Sequence, residues 1–183
     1  MTTVLERAAS ILTMLDYPEH TVELVRIAGY LHDIGNVANR CNHAQMSAIM
    51  AYHLLDRLGM PVDEICDVVT AIGNHDESTG GAKDPVSAAL VLADKTDVRR
   101  NRVREKEREK FDIHDRVNFA VTGSSLKVDP EEAKISLNLQ VDESICTMYE
   151  YFDIFLGRMM MCRGAAEMLG ANFRLTVNGG KVL

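Results

Sequence analysis

Gly29-Tyr30-Leu31-His32-Asp33-Ile34-Gly35-Asn36 is the stretch around which this chain of 183 residues is organised. An imidazole and a carboxylate stand side by side where an apolar helical pattern gives way to a Gly-containing turn. A single His-Asp pair is weak evidence, and a second one occurs at His114-Asp115. The first pair matters because three more potential ligands follow at the ends of predicted elements: His43, His75 and Asp94. Together they form the donor set a divalent metal needs. Imidazole suits Fe, Mn, Ni or Zn, and a carboxylate is able to bridge two ions.

Helix geometry sorts the histidines. His20 and His32 fall on one predicted helix, ~18 Å apart at 1.5 Å per residue, and His43 and His53 on another, ~15 Å apart by the same rule. Only one of each pair belongs to a common site. His32 and His43 flank the turn after Gly35 and are free to converge, whereas His20 and His53 read as surface or half-buried residues.

The segments Leu31-His32-Asp33-Ile34-Gly35, Asn42-His43-Ala44, Ile72-Gly73-Asn74-His75-Asp76-Glu77 and Leu92-Ala93-Asp94 resemble the HD-domain superfamily of metal-dependent phosphohydrolases. The resemblance covers about Val4 to Arg104. It implies one or two divalent ions (Mn, Fe, Co, Ni, Zn or Mg) held by His32, Asp33, His43, His75 and Asp94, with Asp33 also catalytic. It further implies hydrolysis of a phosphate ester of a small molecule or nucleotide. In relatives with two consecutive histidines here, the second also binds metal. Asp76 stands in its place, as a ligand of a second ion or a general base. The resemblance departs at two points. A further histidine ligand usual upstream would fall at or before Met1, since residues 1–19 hold none. Asn36 replaces a lysine that many relatives keep near substrate phosphate. Hence the alternative: a catalytically incomplete module binding metal or nucleotide as a sensor or dimerisation unit.

Composition sets the frame. An apolar content of 46% supports a sizeable core. A net charge of −7 argues against a general nucleic-acid binder. No apolar run approaches a membrane span and no signal-peptide pattern opens the chain, so a cytoplasmic protein is expected. Cys41, Cys66, Cys146 and Cys162 are far apart and read as reduced thiols, most of them buried. There is no G-x-S-x-G elbow and no P-loop.

Helical periodicity predicts helices over 3–15, from Pro18 to His32, over 43–58, through Ile65 to Ile72, and from Pro85 to Asp94. Residues 99–110 then carry seven Lys or Arg against three Glu. Arg99, Arg100 and Arg102 are candidate phosphate ligands there, because guanidinium grips phosphate in bidentate fashion. Alternation at Val117, Phe119 and Val121, at 135–141, and at 173–177 predicts strands. A helix of about 40 Å at 1.5 Å per residue is predicted over 143–169. The expected architecture is mainly α, an HD-type helical bundle over 1–110, followed by a small α+β appendage over 111–183. That appendage holds an antiparallel sheet backed by the long helix. A homodimer is expected through this part.

Overall fold

The computed structural model describes residues 4–98, 100 and 113–182. The expectations on Arg99, Arg102 and Arg104, and on the side chain of His114, lie outside the described residues. Five helices come first: α1 (Val4–Met14), α2 (Glu19–Leu31), α3 (His43–Arg57), α4 (Val62–Gly73) and α5 (Pro85–Lys95). A short 3-10 helix (Ile34–Val37) links α2 to α3.

The helix α5 is the centre of the bundle. Asp84 caps it, its carboxylate accepting from Ser87 N, and Pro85 occupies the first helical position, where a missing N–H costs nothing. Val86 through Ala93 are all buried. A helix apolar all round has no solvent face to offer, so it runs through the core. The helices α1, α2 and α4 pack on it. Each fully buried Leu or Val there stabilises the fold by about 1.5–3 kcal/mol relative to an exposed one.

Two close approaches place the His-Asp turn. A Cβ on Gly29 would stand 2.7 Å from Leu5 Cα, so α1 crosses α2 there with room for no side chain. A Cβ on Gly35 would stand 2.5 Å from the His43 carbonyl oxygen and 2.6 Å from Ser47 N. Glycine therefore lets the turn lie flat on the first turn of α3. Gly35 N donates to Ser47 Oγ at 2.8 Å and pins it there. Asn42, with φ at 59°, swings the chain into α3, a backbone state asparagine tolerates.

After the charged segment come α6 (Ile113–Ala120), β1 (Val121–Asp129), β2 (Lys134–Val141), α7 (Met148–Met168), β3 (Asn172–Val177) and β4 (Gly180–Lys181). The strands form one sheet in the order β1-β2-β3-β4. Ile135, Leu137, Leu139 and Val141 of β2 and Phe173, Leu175 and Val177 of β3 are buried, as their alternation predicts. The mainly helical class with a small sheet and a long helix is thus observed, with four differences in detail.

The sheet is mixed rather than wholly antiparallel: β2 and β3 run parallel, because α7 carries the chain back to the end of the sheet where β2 began. Val117 and Phe119 lie on α6, so their alternation is no strand, and Val117 is buried as a helix residue. Gly123-Ser124-Ser125, which reads as a turn, lies inside β1 beside a register shift between Val121 and Gly123. The helix α7 starts five residues later than predicted, at a capping box between Thr147 and Glu150. Its 21 residues span about 31 Å at 1.5 Å per residue. Tyr151, Phe155, Met159, Cys162 and Ala166 form its buried stripe. That stripe rests on α5, and α7 also packs on β3. Buried residues of both halves of the chain join in one core. Two cysteines, Cys146 and Cys162, are buried, while Cys41 and Cys66 are exposed, fewer buried than expected. No helix among the described residues is long and apolar enough to cross a membrane.

Candidate metal centre

His32 follows the last turn of α2, Asp33 caps the 3-10 helix, His43 opens α3, His75 follows α4 and Asp94 sits near the end of α5. Five element ends thus meet at one place. One nitrogen each of His32 and His75 and one oxygen of Asp33 all lie within 4.8 Å of one another. His43 joins this trio, its Nε2 being 3.2 Å from His75 Nε2 and 3.5 Å from Asp33 Oδ1. Asp94 joins through His32, with Oδ1 3.8 Å from its Nε2.

The three imidazoles share one orientation. His32 Nδ1 faces the Gly29 carbonyl oxygen at 2.8 Å, His43 Nδ1 the Arg40 carbonyl at 3.0 Å, and His75 Nδ1 the Ile72 carbonyl at 2.6 Å. A carbonyl only accepts, so each Nδ1 carries the proton and donates. In neutral imidazole the lone pair then belongs to Nε2, and all three Nε2 atoms turn inward. Burial pushes His75 below the ordinary imidazole value and so favours its neutral form, against the pull of Asp94 toward the charged one.

The result is a cluster of acceptors. The Nε2 atoms of His43 and His75 stand 3.2 Å apart, and Asp33 adds oxygens 3.5 Å and 3.8 Å away. Atoms with lone pairs crowded in this way are stabilised by a cation held among them, whether a shared proton or a metal ion. Two ligands each about 2.0–2.1 Å from a transition metal stand roughly 3 Å apart, close to the 3.2 Å found here. The donor set fits a divalent transition metal. Asp33 divides its oxygens, Oδ2 lying 3.6 Å from His32 Nε2 and Oδ1 toward His43 and His75. It stands between a His32–Asp94 pole and a His43–His75 pole.

The pattern of the HD domain matches residues 1–116. This chain belongs to the HD domain family. HD domains bind divalent metals and are generally metal-dependent hydrolases. A search of curated proteins found no match.

Around the HD centre the remaining sequence-predicted residues divide. Asp76 stands behind His43, its Oδ2 3.5 Å from Nδ1, on the side away from the Nε2 cluster. Its Oδ1 accepts from Ser78 N and Ser78 Oγ, at 2.8 Å and 2.5 Å. Burial opposes its ionisation, but those two hydrogen bonds outweigh that and hold it below the usual carboxylate range. Asn36 is exposed on the 3-10 helix. Arg100 engages α6: Nε donates to the Phe119 carbonyl at 2.7 Å and the guanidinium lies over the Phe119 ring. Asp97, one turn beyond Asp94, pairs with Arg7 of α1 at 3.4 Å.

Sequence reasoning missed Lys95, Glu77 and Arg158. Lys95 Nζ lies 2.9 Å from Asp94 Oδ2 and 2.7 Å from Glu77 Oε2. Arg158 Nε of α7 donates to Glu77 Oε1 at 2.6 Å. Burial works against the charge on Lys95, yet Asp94 and Glu77 raise its pKa above the ordinary value, so it is an ammonium. Burial likewise opposes ionisation of Glu77, but Lys95 and Arg158 overcome it and bring the carboxyl to about 2. One signal was available: Arg158 follows Phe155 by three residues, on the apolar side of its helix, where a bare charge would be costly.

Proposed function

We propose that this protein is a metal-dependent phosphohydrolase that cleaves a phosphate ester of a small molecule or nucleotide. The observation that supports it is the convergence of His32, His43 and His75 Nε2 atoms beside the Asp33 carboxylate, with His43 and His75 Nε2 at 3.2 Å. His32, Asp33, His43, His75 and Asp94 would hold the metal. When bound, a divalent cation lowers the pKa of a coordinated water toward neutrality and offsets charge on phosphoryl oxygens.

The chain's own residues do the rest. The carbonyls of Gly29, Arg40 and Ile72 fix each imidazole's tautomer and direction, so the lone pairs need no reorganisation. Asp33 presents both oxygens at the centre, and its side chain is 45% exposed, whereas His32 and Asp94 are each 10% exposed. Substrate therefore approaches over Asp33. Asp33 is also the carboxylate nearest an incoming water and takes the catalytic role. Asp76 acts on His43 from behind and orients it.

The test is elemental analysis of protein purified without chelator, with phosphate release from a panel of esters and nucleotides in Mn, Co, Ni, Fe and Mg. Retained metal and a metal-dependent activity are expected. Metal-free protein that releases no phosphate with any of them overturns the reading. A second reading, a sensor that binds metal or nucleotide without turnover, is favoured by Asn36, an uncharged residue where many relatives keep a lysine near substrate phosphate. It predicts nucleotide binding with no product.

A further inference from the structure

Four side chains of alternating charge run from α7 into the centre. Arg158 Nε meets Glu77 Oε1 at 2.6 Å, Glu77 Oε2 meets Lys95 Nζ at 2.7 Å, and Lys95 Nζ meets Asp94 Oδ2 at 2.9 Å. Lys95 is 5% exposed. Neighbouring residues on a helix do not ordinarily face each other. Lys95 nonetheless bends its stem so that its ammonium grips one oxygen of Asp94, and the other oxygen turns to His32 Nε2 at 3.8 Å.

We infer that Lys95, Glu77 and Arg158 are positioning residues that set the carboxylate of Asp94 toward the metal, so that α7 completes a centre whose ligands all come from the first five helices. The inference rests on the metal-binding reading above and extends it to residues outside the ligand set.

The chemistry asks for each member. Lys95 occupies Asp94 Oδ2 and thereby leaves Oδ1 to face the centre. An uncompensated ammonium so close would repel a cation through the shared carboxylate. Glu77 neutralises it. Glu77 leaves the chain two residues after His75, and a loose carboxylate there would compete for the metal. Arg158 ties its second oxygen, and the guanidinium is itself held over the Phe155 ring, 4.7 Å from its centroid. Partners behind metal ligands commonly matter 10–100-fold for affinity.

The experiment uses the full chain. Co(II) binding is measured by equilibrium dialysis and visible absorption for the unaltered protein, Arg158→Met, Arg158→Lys, Glu77→Gln and the double variant Glu77→Gln/Arg158→Met. Thermal unfolding of each is followed in EDTA. Arg158→Met is expected to weaken Co(II) binding by about tenfold or more and to alter the cobalt spectrum. Arg158→Lys should recover most of that loss. The double variant should bind no worse than Glu77→Gln, because the two residues act in series. If Arg158→Met does not fold, the near-isosteric Glu77→Gln alone carries the test with the same expected loss. Unaltered affinity and spectrum in a variant that merely melts earlier in EDTA would make the chain of charges an ordinary clasp and overturn the inference. Unaltered protein that takes up no Co(II) would sink the metal reading first and this inference with it.

Discussion

The two ends of this molecule bury opposite things. In the C-terminal part, β2 and β3 bury Ile135, Leu137, Leu139, Phe173 and Leu175 against one another and α7, and every contact favours folding. At the HD centre the fold gathers the polar side chains of His32, Asp33, His43, His75 and Asp94. The first region is built for stability and the second for a ligand that is not part of the chain. The apolar core of the bundle around α5 holds that polar cluster in place.

The comparison breaks most sharply in the apolar region. Leu137→Ala, at a fully buried position of β2, should cost about 2–5 kcal/mol in denaturant unfolding, with metal content unchanged. In the centre, Asp33→Ala should abolish stoichiometric metal and lower metal affinity by more than about 100-fold, beyond the range typical of outer partners. Its unfolding in EDTA should match the parent within about 0.5 kcal/mol or exceed it, since an acceptor has left a crowded set of acceptors. A large loss of apo stability would show that the cluster is structural after all. Metal itself should raise the melting temperature of the parent, by about 2.7 kcal/mol of stability at a hundredfold excess over Kd.

A smaller effect appears in alkali. Burial pushes the Cys162 thiol from 9.0 to about 12. Above pH 9 the unfolded chain loses this proton and the folded one keeps it, so stability falls as pH rises. The fall should be about 1.4 kcal/mol at pH 10 and negligible below pH 8. Cys162→Ala should remove that share of the slope. The same burial predicts that iodoacetamide modifies Cys41 and Cys66 in the native protein and leaves Cys146 and Cys162 intact. At the small end, Tyr149→Ser, on the 80%-exposed outer side of α7, should change stability by no more than about 0.5 kcal/mol.

Much of the fold is legible in the sequence where a local rule operates. Pro85 after Asp84, Gly59 before Pro61, and the alternation of 135–141 each act within a few residues, and the helices and strands follow them. The convergence of His32, His43, His75 and Asp94 was readable for a similar reason: they stand at element ends, where polar side chains are free to meet. The misses came where two local rules compete. Val117, Phe119 and Val121 suit a strand by period, yet only Val121 extends β1, and the others turn helical because α6 packs on α7. Arg100 reads as a phosphate ligand by charge alone, and charge could not show that it also engages a carbonyl and a ring in α6.

The sequence by itself determined the helical bundle, the five side chains that converge and the family, because each depends on residue type and short spacing. Tertiary structure alone decided which way the acceptors face, that β2 and β3 run parallel, and that Arg158 reaches Asp94 through Glu77 and Lys95. Those contacts join residues as far as 81 positions apart, and their geometry is set by how helices pack, which no short stretch of chain encodes.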